Sequence, residues 1–234
     1  MAWRGGTSAR RRGSTAIAAA VVLAALAVTG WAPAGAAAAP QSPAGNCVPG
    51  KLVDFCRAVP PADGFRLDKG AYETIAFPGA SLTVPYRSND RGQVVGAYIV
   101  PDGTLGGRTH GFVYERGRFR TVDGPRRAPT ELFGVNERGQ VVGTYQDSGG
   151  TTHGLLIDRG VSRRIDGPGS RETVLYSIDN RGRIIGGYVD DGGTVHGLMR
   201  DERGRFTTFD APGATTATGA IDINDRRQIV GIVR

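Results

Sequence analysis

The sequence predicts an all-β protein. Three observations carry this: a segment that recurs about every 44 residues, short β-prone runs between glycine turns in every copy, and no sustained helical period beyond the first forty residues. The clearest copy is Asn89-Asp-Arg-Gly-Gln-Val-Val-Gly-Ala-Tyr98, which recurs as Asn136-Glu-Arg-Gly-Gln-Val-Val-Gly-Thr-Tyr145. It returns as Asn180-Arg-Gly182 leading into Ile184-Ile-Gly-Gly-Tyr188, and finally as Asn224-Asp-Arg-Arg-Gln-Ile-Val-Gly231. The asparagines are spaced by 47, 44 and 44 residues.

Other landmarks keep this phase. Acid-base-Gly triplets fall at Asp68-Lys-Gly70, Glu115-Arg-Gly117, Asp158-Arg-Gly160 and Glu202-Arg-Gly204. Between apolar runs such a triplet makes a tight hairpin, with glycine taking the positive φ that other residues resist. Asn-x-Arg-Gly reads as a second turn, opened by the asparagine side chain. Prolines 78, 125, 168 and 212 follow the triplets at similar distance and break the ladder, since proline cannot donate to it. The strands between include Gly111–Tyr114, Phe119–Val122 and Gln140–Gly143, with a fourth expected near Leu132–Val135, Tyr176–Ile178 and Ala220–Ile223.

Four strands in about 44 residues is the content of one β-propeller blade. Residues 63–234 hold four copies, which suits a small four-bladed ring. A β-trefoil-like barrel is the alternative fold, and a larger ring made by two chains a third. The last copy has Arg227 where the turn glycine belongs. Terminal repeats commonly deviate.

Residues 1–39 read as a secretory signal peptide: Arg4 and Arg10–Arg12, then an apolar run from Ala16 to Val28, then small residues to Ala39. The run is shorter than the roughly 20 residues a membrane span needs, so the expectation is a secreted, extracellular protein with no membrane contact after cleavage. The whole chain carries +7, but with the four basic residues of 1–39 removed the remainder carries only +3. That thin surplus argues against nucleic-acid binding. Residues 40–62 read as a linker. Cys47 and Cys56, the only cysteines, suit a disulfide in an exported chain, and closing so short a loop stabilises by about 2–3 kcal/mol.

At these motifs the chain resembles the bacterial extracellular HAF-repeat proteins. The His-small-aromatic triplet of that family reads His110-Gly-Phe112, His153-Gly-Leu155 and His196-Gly-Leu198 here. Its Asp-x-Pro-Gly turn reads Asp166-Gly-Pro-Gly169 and Asp210-Ala-Pro-Gly213, and in altered form Asp123-Gly-Pro-Arg126. The resemblance implies an exported repeat protein and assigns no reaction.

His110, His153 and His196 recur every 43 residues, and Asp123, Asp166 and Asp210 keep step with them. Such pairs can bind zinc. Groups that recur once per copy beside turns are expected instead to lock the fold, because catalysis needs unlike groups in unlike roles. Asn89, Asn136, Asn180 and Asn224 are read the same way. No metal or cofactor is expected, and catalytic residues are not assigned. Tyr98, Tyr145 and Tyr188 form a possible ligand face, although the lack of tryptophan after residue 39 counts against a lectin. The expected function is a non-catalytic binding or scaffold module for a glycan, cell-wall polymer or protein. The alternative is an enzyme acting on an extracellular polymer, with Glu73, Asp191 and Asp222 breaking the repeat.

Overall fold

A computed structural model describes residues 62–103 and 107–234. Residues 1–39, read as a signal peptide, most of the stretch 40–62, read as a linker, and Cys47 and Cys56 lie outside the described residues. The described chain is all β, sixteen strands in antiparallel sheets, with one turn of 3-10 helix at Pro125–Arg127. A hairpin of β1 (Gly64–Asp68) and β2 (Ala71–Ile75) comes first. Three four-stranded meanders follow. The first is β3 (Leu82–Ser88), β4 (Val94–Val100), β5 (Arg108–Glu115) and β6 (Arg118–Val122). The second is β7 (Thr130–Val135), β8 (Val141–Gln146), β9 (Thr152–Asp158) and β10 (Val161–Ile165). The third is β11 (Glu172–Ile178), β12 (Ile184–Val189), β13 (Val195–Arg200) and β14 (Phe206–Phe209). A hairpin of β15 (Thr218–Ile223) and β16 (Ile229–Val233) ends the chain.

The repeat read from residue 63 is therefore out of phase with the sheets. Each copy begins at the third strand of one sheet and ends at the second strand of the next. By register β1–β2 correspond to β5–β6, and β15–β16 to β3–β4. One further sheet's outer and inner halves thus stand at opposite ends of the described chain, as separate two-stranded sheets.

Local chemistry explains the turns. Lys69-Gly70, Arg116-Gly117 and Arg159-Gly160 each put two consecutive residues at positive φ, the mirror-image turn that matches strand twist. The fourth triplet differs. Asp201 anchors a longer turn there, its Oδ1 accepting the Arg203 and Arg205 N–H groups.

Each central sheet is covered on both faces, and the Val-Val doublets show how. Successive residues of a strand point to opposite faces. Val94 packs with Ile75, Tyr98 and Phe112, whereas Val95 joins Leu132 and Val141 of the second meander. Val142 faces the other way, into Leu175 and Ile184, and Ile185 in turn meets Ala220 and Ile223. The last doublet breaks the pattern: Ile229 packs inward but Val230 is 64% exposed, as is Phe65 on β1.

β3, β7, β11 and β15 each carry a β-bulge, which inserts Tyr86, Phe133, Tyr176 and Ile221 as unpaired residues. Tyr86, Phe133 and Tyr176 contact in sequence, with ring centroids 5.0 and 5.4 Å apart. Arg87 Nη2 on β3 meets Asp222 Oδ1 on β15 at 2.9 Å, so the first and last inner strands also touch.

Candidate functional site

The histidines and aspartates that recur in sequence meet in space. His110 Nδ1 lies 2.7 Å from Asp123, His153 Nδ1 3.1 Å from Asp166, and His196 Nδ1 2.9 Å from Asp210. The second ring nitrogen was not anticipated to have a partner. His153 Nε2 faces Asp147, and His196 Nε2 faces Asp190, both in the turn that precedes the histidine's strand. Each of these two rings therefore clamps two loops of one sheet. Their partners are carboxylates of the same sheet.

A histidine between two carboxylates favours the imidazolium, since both nitrogens then donate. The hydrogen bond to Asp210, followed by that to Asp190, raises the His196 pKa above its ordinary value of 6.5. Asp190 is lowered, first by the Thr194 N–H and then by His196. Hydrogen bonding from His153 likewise lowers Asp147. A raised histidine contributes stability that is complete below the unfolded imidazole pKa and is lost as pH rises through the folded one. The Asp190 contribution runs the other way, and persists until pH falls through its depressed value. Accordingly, His196→Gln is expected to lower the melting temperature more at pH 5.5 than at pH 9, measured by circular dichroism.

The asparagines tie turn to turn. Asn136 Oδ1 accepts the Arg138 and Gln140 N–H groups, and its Nδ2 donates to Asp179 O in the next sheet. Asn89 Nδ2 reaches Asn136 O in the same way. In the third meander the equivalent residue is Asp179, not Asn180. Asp179 Oδ1 accepts Arg181 and Arg183, and Arg183 Nη2 makes the forward bond to Asp225 O that a carboxylate cannot. Asn180 stands one residue further on, in a second string: Asp90 N–H donates to Glu137, Glu137 N–H to Asn180, and Asn180 N–H to Asp225.

The tyrosines do not form an open face. Tyr98 and Tyr145 are 4% and 6% exposed. Each of the three rings lies against its histidine at 5.1–5.2 Å, and Phe77, Gly124 and Gly167 cover Tyr98, Tyr145 and Tyr188 from the other side. Burial is the main reason the Tyr98 and Tyr145 hydroxyls are raised.

Departures from the repeat gather among the inner strands. Glu131 stands where β3 has Val84 and β11 has Val174, and Tyr86 donates a hydrogen bond to it at 3.4 Å. Burial raises the Glu131 pKa against the opposing effect of that bond, and it raises Tyr86 and Tyr176 as well. Nothing in the local sequence marked Glu131; only the register of the bulged strands does. Asp222 Oδ1 accepts both Arg87 and Ser177, and these two outweigh its burial to lower its pKa. Glu73 and Asp191 are elsewhere, the first bound to Arg66 and Tyr114 on the outer hairpin and the second exposed in the β12–β13 turn.

Among the described residues no three His, Cys, Asp or Glu are placed to hold a metal ion, and no helix is long and apolar enough to cross a membrane. No protein-family model matches the chain, and no curated protein matches it.

Proposed function

We propose that this protein is a secreted, non-catalytic repeat module that binds a glycan, a cell-wall polymer or a protein outside the cell, built as a four-bladed β-propeller of the HAF-repeat type. The observation that carries the non-catalytic part is the use made of its most reactive side chains. His153 and His196 have both ring nitrogens engaged by carboxylates of their own sheet, and Tyr98 and Tyr145 are packed against such rings. These groups serve architecture. The signal peptide and the resemblance to exported repeat proteins support the location.

The four-bladed reading rests on complementary halves. A fourth blade in the order β15, β16, β1, β2 would repeat the register of the other three. It would set Val230 against the first meander and Phe65 against the third, covering two side chains that are now exposed. The Arg87–Asp222 pair already joins the strands on either side of that seam.

The second reading, an enzyme acting on an extracellular polymer, is favoured by Glu131, a half-buried carboxyl that breaks the repeat with its pKa raised. Purified secreted protein, incubated with polysaccharides and wall polymers, separates the two. Saturable binding with no release of reducing ends is expected, and turnover of any polymer would favour the enzyme. His153→Ala is expected to lower stability by about 2 kcal/mol, the size of a lost charge-assisted contact, while binding below the melting point is kept. Lost binding at unchanged stability would make this histidine a ligand group.

A further inference from the structure

One loop departs from its three counterparts. After Pro78, Pro168 and Pro212 comes a glycine at positive φ, and the turn closes from Ala80 N–H to Phe77 O, Ser170 to Gly167 and Ala214 to Ala211. After Pro125 come two arginines, Arg126 and Arg127, at φ 58° and 61°. The turn there is shifted by one residue and closes from Ala128 N–H to Pro125 O. Two successive positive-φ residues inside such a bond are a mirror-image turn, which favours Asn-Gly. Among the described residues this is the one turn whose two positive-φ positions both carry a Cβ. Such strain persists where something else requires the side chains.

Arg126 and Arg127 line a surface cavity of about 330 Å³ together with Arg108, Arg164 and Asp147. Arg108 Nη2 donates to Arg127 O, and Arg164 is held by Asp166. Among the described residues no carboxylate lies within ion-pair distance of Arg108, Arg126 or Arg127. Residues 108–127 also include exposed Arg116, Arg118 and Arg120, against only Glu115 and Asp123. The basic surplus of the chain thus falls within residues 108–127, on β5, β6 and the loop that follows.

We propose that this loop binds an oxyanion, a carboxylate or phosphate, carried repeatedly on an extracellular polymer. Guanidinium groups match either oxyanion through paired N–H donors. Exposed pairs are individually weak and screened by salt. A polymer that presents several anions to the arginines of residues 108–127 gains by effective concentration what one anion lacks. The assignment rests on the reading of the protein as a binding module and adds the place and the ligand chemistry.

The test is a titration of the full secreted chain with an oligogalacturonate, for carboxylates, and with polyphosphate. Binding of one or both is expected, weakening as sodium chloride rises. The double variant R126N/R127G keeps a turn of this shape and removes both charges. It is expected to weaken binding at least tenfold and to raise the melting temperature. R159N, which places Asn-Gly in the β9–β10 hairpin, is expected to leave binding unchanged. Undiminished binding in R126N/R127G, or a lowered melting temperature, overturns the site. Tighter binding to duplex DNA than to either probe overturns the polymer class. If neither probe binds while a wall or glycan screen still yields a ligand, the site assignment falls and the binding module stands.

Discussion

Gly143→Ala is expected to lower stability by roughly 3 kcal/mol, at the top of the range for forced overpacking, although φ at this position is unremarkable. A Cβ on Gly143 would stand 2.0 Å from Glu131 O and 2.8 Å from Leu132 Cα, and backbone cannot step aside. The cause is the bulge at Phe133, which draws the first strand of the sheet over the second where Gly143 pairs with Leu132. A Cβ on Gly96, Gly186 or Gly231 would likewise stand 2.1, 1.9 or 2.0 Å from a carbonyl oxygen of its own sheet. By contrast Gly160, at φ +79° with open space around it, should cost only about 1 kcal/mol on replacement by alanine. Urea unfolding of both variants checks this. Equal losses would mean that the bulge does not bring the strands so close.

Leu175→Ala is expected to be the most damaging truncation of a side chain, at about 3–5 kcal/mol. Leu175 is fully buried and joins Val142, Leu156 and Ile165 of the second meander to Ile184 and Leu198 of the third. Its Cγ and Cδ1 also lie 2.8 and 2.9 Å from where a Cβ on Gly154 would stand, so on that side only a glycine faces the space it would leave. For a domain of this size each kcal/mol moves the melting temperature by about 2–4 °C, and a fall on the order of 10 °C is expected in a thermal melt. A loss under 1 kcal/mol would show that the second and third meanders do not pack through this residue.

Much of the architecture was legible because the repeat writes it four times. The Val-Val doublets encode burial on both faces, and the acid-base-Gly triplets encode hairpins. What escaped depends on contacts between distant residues. The split of the last sheet between β15–β16 and β1–β2 cannot be read from a period, which is indifferent to where a copy is said to begin. Gly143 was read inside a strand, but nothing in the sequence marked the bulge that it faces. Asn180 was matched to the other asparagines by letter. The turn needs a side-chain oxygen two and four residues before the N–H groups it accepts, and Asp179 supplies it. Of the candidate site, the pairing of His with Asp was foreshadowed by their common period, whereas Asp147 and Asp190 lay hidden in ordinary-looking turns. A net charge of +3 likewise concealed its own unevenness, because residues 108–127 hold six arginines against two acids while the charges elsewhere nearly balance.

The string from Asp90 through Glu137 and Asn180 to Asp225 has a direction. Every link passes a backbone N–H forward to a side-chain oxygen, so one end is left with the carboxylate of Asp90 and the other with the N–H of Asp225. Such head-to-tail joints are heterologous: each unit presents a socket to one neighbour and a plug to the other. They contain no instruction about number. Whether units joined in this way meet as a circle or continue as a spiral is settled by the small rotation at each step, and a change of a few degrees there would alter the count without altering a single bond of the joint.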